Sequence, residues 1–173
     1  NPLMGSDGLS GLTNLLVNGD FESWSSGTNV APDGWILAGV GATVNKQTGT
    51  PAPKLGTACV ALTRSGATVY LYNANYNVSP ILEKGIAYWQ GRTITFGCWI
   101  YATVANRARL LISDGGSNTY SSYHTGNSTW QFITLTAPIN VSASVLSFNM
   151  LIDTGDTTAY FDGAILAEGE KIY

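Results

Sequence analysis

The feature that most constrains the fold is a series of short β-type runs, each closed by residues that favour turns. Runs of β-branched and aromatic residues at this spacing, with turn sequences such as Asp114-Gly115-Gly116 between them, are typical of sandwiches and jelly rolls. No stretch has a convincing helical period. The predicted strands cover residues 14–17, 34–44, 58–63, 68–72, 93–102, 107–113, 130–137, 145–152 and 159–166. The sequence therefore predicts an all-β fold, a β-sandwich of two antiparallel sheets.

The length and apolar content fit a single domain. The chain has 173 residues, and 45% of them are hydrophobic, which is enough for one core. Residues 1–13 are rich in Gly and Ser, with isolated apolar residues and no period of their own. They predict a flexible N-terminal arm or linker, and residues 14–173 are predicted to form the sandwich.

The charge content limits the partners. Charged residues make up 11% of the chain, and the net charge is −3, whereas soluble proteins typically contain roughly 25% charged residues. The eight Lys and Arg residues are scattered and form no cationic stripe of the kind that neutralises phosphates. The longest apolar runs are far shorter than the ~20 residues that a membrane helix needs. We therefore expect neither nucleic acid nor a membrane as a partner.

Alternation separates the two faces of the predicted strand at residues 93–102. The core face takes Ile94, Phe96, Cys98 and Ile100. The other face presents Trp99 and Tyr101 beside a glycine, which lets a ligand approach closely. Tyr70 and Tyr72 also alternate with apolar residues, and we expect them to add to the same surface.

These aromatic residues suggest a groove for sugars. Sugar rings stack their apolar C–H faces on aromatic planes, and their hydroxyls need amide, carboxylate or guanidinium partners. The predicted ligand-binding residues are Trp99, Tyr101, Tyr70, Tyr72, Arg109 and Gln131. The alternative is that the aromatic side chains pack under a loop or against another subunit, because Trp, Tyr and Arg are also enriched at protein interfaces.

Other apolar residues are expected in the interior. Cys59 and Cys98 lie in apolar alternating stretches, so we expect buried thiols, with a disulfide as the alternative. Four aromatic residues in motifs that close the sandwich are expected in the core: Phe21, Trp35, Trp130 and Phe161.

The residue patterns do not favour an enzyme. Glycoside hydrolysis needs two carboxylates roughly 5 to 9.5 Å apart, and the sequence offers no clear pair. His124 is the single histidine, and no Gly-x-Ser-x-Gly sequence accompanies it. One histidine and two cysteines in apolar strands lack the spacing of zinc ligands. We predict no catalytic residues, and we expect His124 to make ordinary hydrogen bonds in a polar loop.

Several motifs resemble a known family. The run NLLVNGDFE at residues 14–22, followed by DGW at 33–35, resembles the opening of carbohydrate-binding modules of the family 4 and 9 type. Three later segments are similar to that family's small-residue turn, central strand and closing strand: KLGTA at 54–58, GRTITFGCWIY at 91–101 and AYFDGAIL at 159–166. The resemblance covers residues 14–169 and implies a galactose-binding-domain-like jelly roll with one concave sheet.

The same resemblance implies a structural calcium ion. In that family the opening and closing strands commonly share one, and here Glu22 and Asp162 would supply carboxylates. Carbonyl oxygens near Asp20 and Lys54 would complete part of the oxygen shell. The alternative is that Asp162 caps a turn and Glu22 is solvated.

A narrower similarity is to modules of tailed-phage and other virus structural proteins, which act as capsid decorations or tail-fibre domains. It lies in the segments 91–99, 105–110, 120–126 and 160–164. It implies a virion-surface or other extracellular location, with neighbouring capsid or tail subunits as partners and a homo-oligomer in the virion. We therefore expect a non-catalytic module displayed on a virion that retains glycan binding. The alternative is a carbohydrate-binding module of an extracellular polysaccharide-degrading enzyme.

Overall fold

A computed structural model describes residues 14–74 and 85–170, which form two facing antiparallel sheets of five strands each. The first sheet has the order β1 (Ile36–Ala38), β4 (Val69–Ala74), β9 (Ser147–Ile152), β6 (Ala108–Ser113) and β7 (Asn118–Tyr120). The second has the order β2 (Thr43–Gln47), β3 (Cys59–Arg64), β10 (Thr157–Glu168), β5 (Thr93–Tyr101) and β8 (Trp130–Pro138). The predicted all-β sandwich is confirmed. The predicted arm at residues 1–13 lies outside the described residues.

Most predicted strands are present, and the differences have local causes. The predicted strand at 34–44 divides into β1 and β2, which join different sheets. The chain turns between them at Gly39, where φ is 123° and a Cβ would lie 2.4 Å from the carbonyl oxygen of Thr68. Residues 14–17 lie along β10, where the N–H of Leu15 donates to the carbonyl oxygen of Leu166 and the side-chain amide of Asn14 bonds the backbone of Ala164 and Leu166.

Two short elements were not predicted. Strand β7 has three residues, which is too few to show an alternating pattern. The helix α1, Ile86–Trp89, is a single turn that buries Trp89. Within the described ranges, helices fall well short of the length and apolar content required to cross a membrane.

The core lies between the two sheets, where the inward side chains of both meet. Phe96 from the second sheet contacts Phe148 from the first, with ring centroids 5.9 Å apart. The predicted core positions of Phe21, Trp35 and Phe161 are confirmed, since all three are buried.

Trp130 was expected in the core, and that prediction is wrong. It pairs with Tyr101 across β8 and β5, and both side chains point away from the core. The ring is half-buried, and its Nε1 donates to the carbonyl oxygen of Ala52 at 3.1 Å. Position at the start of a strand does not determine the face, because alternation sets it residue by residue.

Both cysteines are free and buried, as expected from their apolar surroundings. The Sγ atom of Cys98 lies 3.2 Å from the carbonyl oxygen of Asp162. Burial raises the pKa of Cys59 to about 12, and burial also raises that of Cys98. Both are therefore thiols at neutral pH.

Candidate functional site

The predicted aromatic residues divide between the two outer faces of the sandwich. Tyr70 and Tyr72 point outward from β4, in the first sheet, and Trp99 and Tyr101 point outward from β5, in the second. The prediction that these four side chains share one surface is therefore wrong. Strand β4 pairs with β1 and β9, whereas β5 pairs with β10 and β8, so the two pairs of rings face in opposite directions.

An open groove with a volume of about 310 Å³ lies on the outer face of the first sheet. Its lining residues come from all five strands: Ala38, Tyr70, Tyr72, Leu111, Ser113, Asn118, Ser147 and Asn149. The groove thus runs across the strands rather than along them. Neighbouring strands lie ~4.8 Å apart, so the five strands span about 19 Å. That is room for an extended chain of several small rings.

The register of the strands places one row of outward residues along the middle of this face: Ile36, Tyr72, Asn149, Leu111 and Tyr120. Tyr72 and Tyr120 are three strand spacings apart, about 14 Å. Tyr120 is 40% exposed, and Asn149 places an amide between the two rings. The row therefore combines two separated aromatic rings with an amide, which is the chemistry that stacks and hydrogen-bonds sugars.

Arg109 lies in the adjacent row, and its guanidinium contacts one carboxylate and two aromatic rings. Its Cζ is 3.9 Å from the ring centroid of Tyr120 and 4.4 Å from that of Tyr123. Its Nη2 and Nε donate to Oδ2 of Asp153 at 2.6 and 3.1 Å, and the hydroxyl of Tyr123 donates to the same carboxylate at 3.0 Å. The four residues form one connected cluster beside the groove, which we call the arginine cluster.

The arginine cluster acts electrostatically on the groove. Burial raises the pKa of Tyr70. Interactions with Tyr120 and Asp153 raise this pKa further, and the positive charge of Arg109 lowers it. Burial raises the pKa of Tyr123, and its hydrogen bond to Asp153 adds to that shift. The hydroxyls of Tyr70 and Tyr123 are therefore protonated at neutral pH, and Arg109 and Asp153 form the charged pair of the cluster.

Gln131 was predicted to line the same site as Arg109, but the structure does not bring the two together. Gln131 belongs to β8 of the second sheet. Its Nε2 donates to Oγ1 of Thr125 at 2.6 Å, and its Oε1 accepts from the backbone N–H of Thr125 at 3.2 Å. The Gln131 amide thus stabilises the loop before β8 through Thr125.

The outer face of the second sheet carries its own aromatic cluster. Trp99 packs against Phe132 at 5.3 Å between centroids, and Tyr101 packs against Trp130 at 5.7 Å and Tyr160 at 5.9 Å. The Nζ atom of Lys54 lies 4.2 Å from the Trp99 centroid, so the segment before β3 covers part of these rings. The arrangement matches the alternative that aromatic side chains here pack under a loop.

The two carboxylates that the family resemblance assigned to calcium both accept hydrogen bonds from one segment, 54–58. Glu22 accepts from the backbone and hydroxyl of Thr57 at 2.8 and 2.6 Å and from the N–H of Ala58 at 3.0 Å. Asp162 is fully buried and accepts from the N–H of Leu55 and of Gly163, each at 2.8 Å.

The charges of these carboxylates bear on whether a cation fits. Burial raises the pKa of Asp162 to about 7, and the charge of Glu22 adds to this rise. Burial also acts to raise the pKa of Glu22, but hydrogen bonds from Thr57 and Ala58 hold it below 4.5.

In the described part of the chain, no three side chains of His, Cys, Asp or Glu converge on one point, so carbonyl oxygens would have to supply the remaining ligands. Asp20 is exposed and Lys54 is exposed, and each would contribute through its backbone. Glu22 and Asp162 both bond to segment 54–58, and their carboxylate oxygens are the type of ligand that a hard cation such as calcium takes.

His124 is buried, and its ring is fully hydrogen-bonded. Nε2 is 2.8 Å from the carbonyl oxygen of Thr129, and Nδ1 accepts from the N–H of Gly126 at 2.9 Å. Burial lowers the pKa of His124, although the bond to Thr129 opposes the shift. The ring is therefore neutral at pH 7 and holds the loop that precedes β8. The predicted ordinary hydrogen bonds of His124 are present.

Three residues of the groove and its wall were not predicted: Tyr120, Asn149 and Asp153. The alternation of residues 145–152 does place Asn149 on the outer face of its strand, because its neighbours Phe148 and Met150 point into the core. Tyr120 and Asp153 gave no comparable signal, since β7 is very short and Asp153 follows the end of β9.

Comparison with known proteins bears on the fold. No family model matches the chain, and no curated protein sequence matches it. The CBM22-1 xylan-binding domain of Paenibacillus barcinonensis Xyn10C superposes with a TM-score of 0.66 at 12% identity, over 93% of this chain and 97% of that one. The structure of TmCBM61 in complex with β-1,4-galactotriose gives a TM-score of 0.57 at 17% identity, over 91% and 99%. The chain has the fold of carbohydrate-binding modules.

A phage protein shares this fold as well. The enzymatically active domain of bacteriophage CBA120 tailspike protein 4 superposes with a TM-score of 0.60 at 17% identity, over 90% of this chain. The chain spans about a fifth, 21%, of that tailspike structure. At these identities the likeness concerns the fold, and the finer resemblance to families 4 and 9 stays a prediction.

Proposed function

We propose that this chain is a non-catalytic glycan-binding module and that its site is the groove on the outer face of the first sheet. The observation that carries the proposal is the open groove itself, which crosses five strands and is lined by Tyr70, Tyr72 and Asn149. Rings and amides on a rigid sheet can stack the C–H faces of sugars and bond their hydroxyls. The carbohydrate-binding modules that share the fold support the same class of ligand.

The groove supports binding without turnover. None of the eight described residues that line it carries a carboxylate, whereas glycoside hydrolysis needs two that face each other across the bond. The nearby carboxylate of Asp153 is paired with Arg109. An acid–base pair is thus missing from the part of the groove lining that the structure describes.

Affinity electrophoresis on soluble polysaccharides tests the function. The panel should include xylan and β-1,4-galactan, because structures with this fold were described with xylan and β-1,4-galactotriose. We expect at least one uncharged polysaccharide to retard the chain, with no release of reducing ends on prolonged incubation. Migration that no glycan changes would contradict the binding role, and release of reducing ends would contradict the non-catalytic role.

We propose that the module is displayed on a virion surface, where it contacts neighbouring capsid or tail subunits as a homo-oligomer. The shared fold of the phage tailspike domain supports this setting, and a module of an extracellular polysaccharide-degrading enzyme is the second candidate. Mass spectrometry of purified virions distinguishes them: recovery of the chain with capsid or tail proteins supports the first, and recovery within an enzyme polypeptide supports the second.

We also propose a structural calcium ion held by Glu22 and Asp162 together with carbonyl oxygens near Asp20 and Lys54. A cation would join the start of the domain to β10 through two carboxylates that otherwise repel each other. At a free concentration of 100 times Kd, bound calcium stabilises by about 2.7 kcal/mol. For a chain of this length that is roughly 5–10 °C in Tm.

Calorimetry with calcium and with EGTA measures this effect. We expect the chelator to lower Tm in the wild type and in the control variant Asp156→Asn, whose carboxylate pairs with Arg64 away from the site. Asp162→Asn should lose the difference between the two conditions. Equal Tm values for the wild type with calcium and with EGTA would contradict the proposal.

A further inference from the structure

We propose that Asp153 is a positioning residue that makes the groove selective for uncharged glycans, because it neutralises a cation beside the site, Arg109. The inference rests on the proposed function and deepens it, since it concerns the charge class of the ligand. It predicts that removal of the Asp153 charge opens the groove to anionic glycans.

The described lining of the groove is uncharged. Its eight residues are tyrosines, asparagines, serines, a leucine and an alanine. Arg109 lies directly beside them, two residues before Leu111 on β6. Across β9 it shares a row with Tyr70, two strand spacings or about 10 Å away. That distance is close to the Debye length at physiological salt, ~8 Å, so an unpaired charge on Arg109 would act on a ligand in the groove.

Arg109 and Asp153 form a largely buried ion pair. The side chain of Arg109 is 20% exposed and that of Asp153 is 16% exposed. The pair is therefore mostly removed from water, where screening by salt is weak and charge pairing is strong. Asp153 takes hydrogen bonds from both Nε and Nη2, at 3.1 and 2.6 Å, which uses one edge of the guanidinium.

Two tyrosine rings pack against the guanidinium of Arg109. Tyr120 and Tyr123 lie within 4.4 Å of the guanidinium carbon, and the Tyr123 hydroxyl also donates to Asp153. Little of Arg109 is left to bond a carboxylate of a sugar. A uronic acid in the groove would lose hydration without gaining a free cation, and it would meet the negative charge of Asp153. An uncharged sugar has neither cost and still stacks on the exposed part of Tyr120.

The experiment compares Asp153→Asn with the matched variant Asp156→Asn, which makes the same change in net charge on a carboxylate paired with Arg64. Retention is measured on xylan as the uncharged polymer and on polygalacturonate as the anionic one, at low salt and at 1 M salt. We expect Asp153→Asn to bind polygalacturonate about tenfold more tightly than Asp156→Asn at low salt, a change worth ~1.4 kcal/mol. The gain should disappear at 1 M salt, where the Debye length is ~3 Å.

A second substitution assigns the gain to Arg109. In the double variant Arg109→Gln with Asp153→Asn, binding to polygalacturonate should return to the level of Asp156→Asn. Should Asp153→Asn fail to fold by calorimetry, Asp153→Ser makes the same charge change with a smaller side chain. Equal binding of polygalacturonate by the Asp153 and Asp156 variants would overturn the inference.

Failure of the proposed function is distinguishable. A wild type that binds no uncharged glycan would overturn the glycan-binding role. The comparison of the two single variants on polygalacturonate would then still decide whether Asp153 masks the charge of Arg109.

Discussion

Replacement of Tyr72 by alanine should weaken glycan binding about 30-fold. Tyr72 lies in the central row of the groove, between Ile36 and Asn149, and its ring is one of the two aromatic surfaces of that row. Loss of the ring removes the apolar contact with a stacked sugar, which is worth ~2 kcal/mol. That free energy corresponds to roughly 30-fold in Kd. Isothermal titration with the polysaccharide or oligosaccharide that binds the wild type measures it.

The matched control is Tyr101→Ala, the same substitution on the outer face of the second sheet. Tyr101 packs against Trp130 and Tyr160, so the control costs stability, and Tm must be measured for both variants. We expect the Tyr101 variant to keep the wild-type Kd at a temperature where it is folded. The reverse result, with affinity lost in the Tyr101 variant and kept in the Tyr72 variant, would place the site on the second sheet.

Replacement of Gly126 by alanine should destabilise the fold by about 3 kcal/mol or more. Gly126 has a φ of 75°, which costs an L-residue ~1–2 kcal/mol. A Cβ there would also lie 2.1 Å from the backbone nitrogen of Ala105 and 2.5 Å from the carbonyl carbon of Val104. Overpacking of this kind adds ~1–3 kcal/mol. The change would also disturb the N–H that donates to His124.

Gly66→Ala separates the two causes. Gly66 has a φ of 82°, yet a Cβ at that position meets nothing within 4 Å. We expect a loss of only about 1 kcal/mol, from the backbone conformation alone. Urea denaturation of both variants gives the two free energies of unfolding. Equal losses would show that the loop around Gly126 moves aside without cost.

Much of the fold could be predicted from the sequence, because the alternation of apolar and polar residues within a strand is a local signal. Strand β5 follows the predicted pattern residue by residue, with Phe96 and Cys98 inward and Trp99 outward. The division of 34–44 into β1 and β2 was not predicted, because its cause is a close approach of Gly39 to Thr68, a contact between distant segments.

The candidate site was predicted only in part. Tyr70 and Tyr72 do lie in one groove, and Arg109 lies beside it. Trp99 and Tyr101 satisfied the same sequence criteria, but they lie on the opposite face of the sandwich. Whether a side chain points outward follows from its own strand, whereas its neighbours on the surface depend on which strands pair.

By itself, then, the sequence determined the class of fold, the inward and outward faces of most strands, and the burial of both cysteines. Tertiary structure alone decided that β4, β9, β6 and β7 lie side by side, and so brought Tyr72, Asn149 and Tyr120 into one row. It also decided that Asp153 meets Arg109. The physical reason is that successive side chains of a strand point to opposite faces, a period of two that the local sequence shows. Strand pairing instead depends on contacts between segments far apart in the chain.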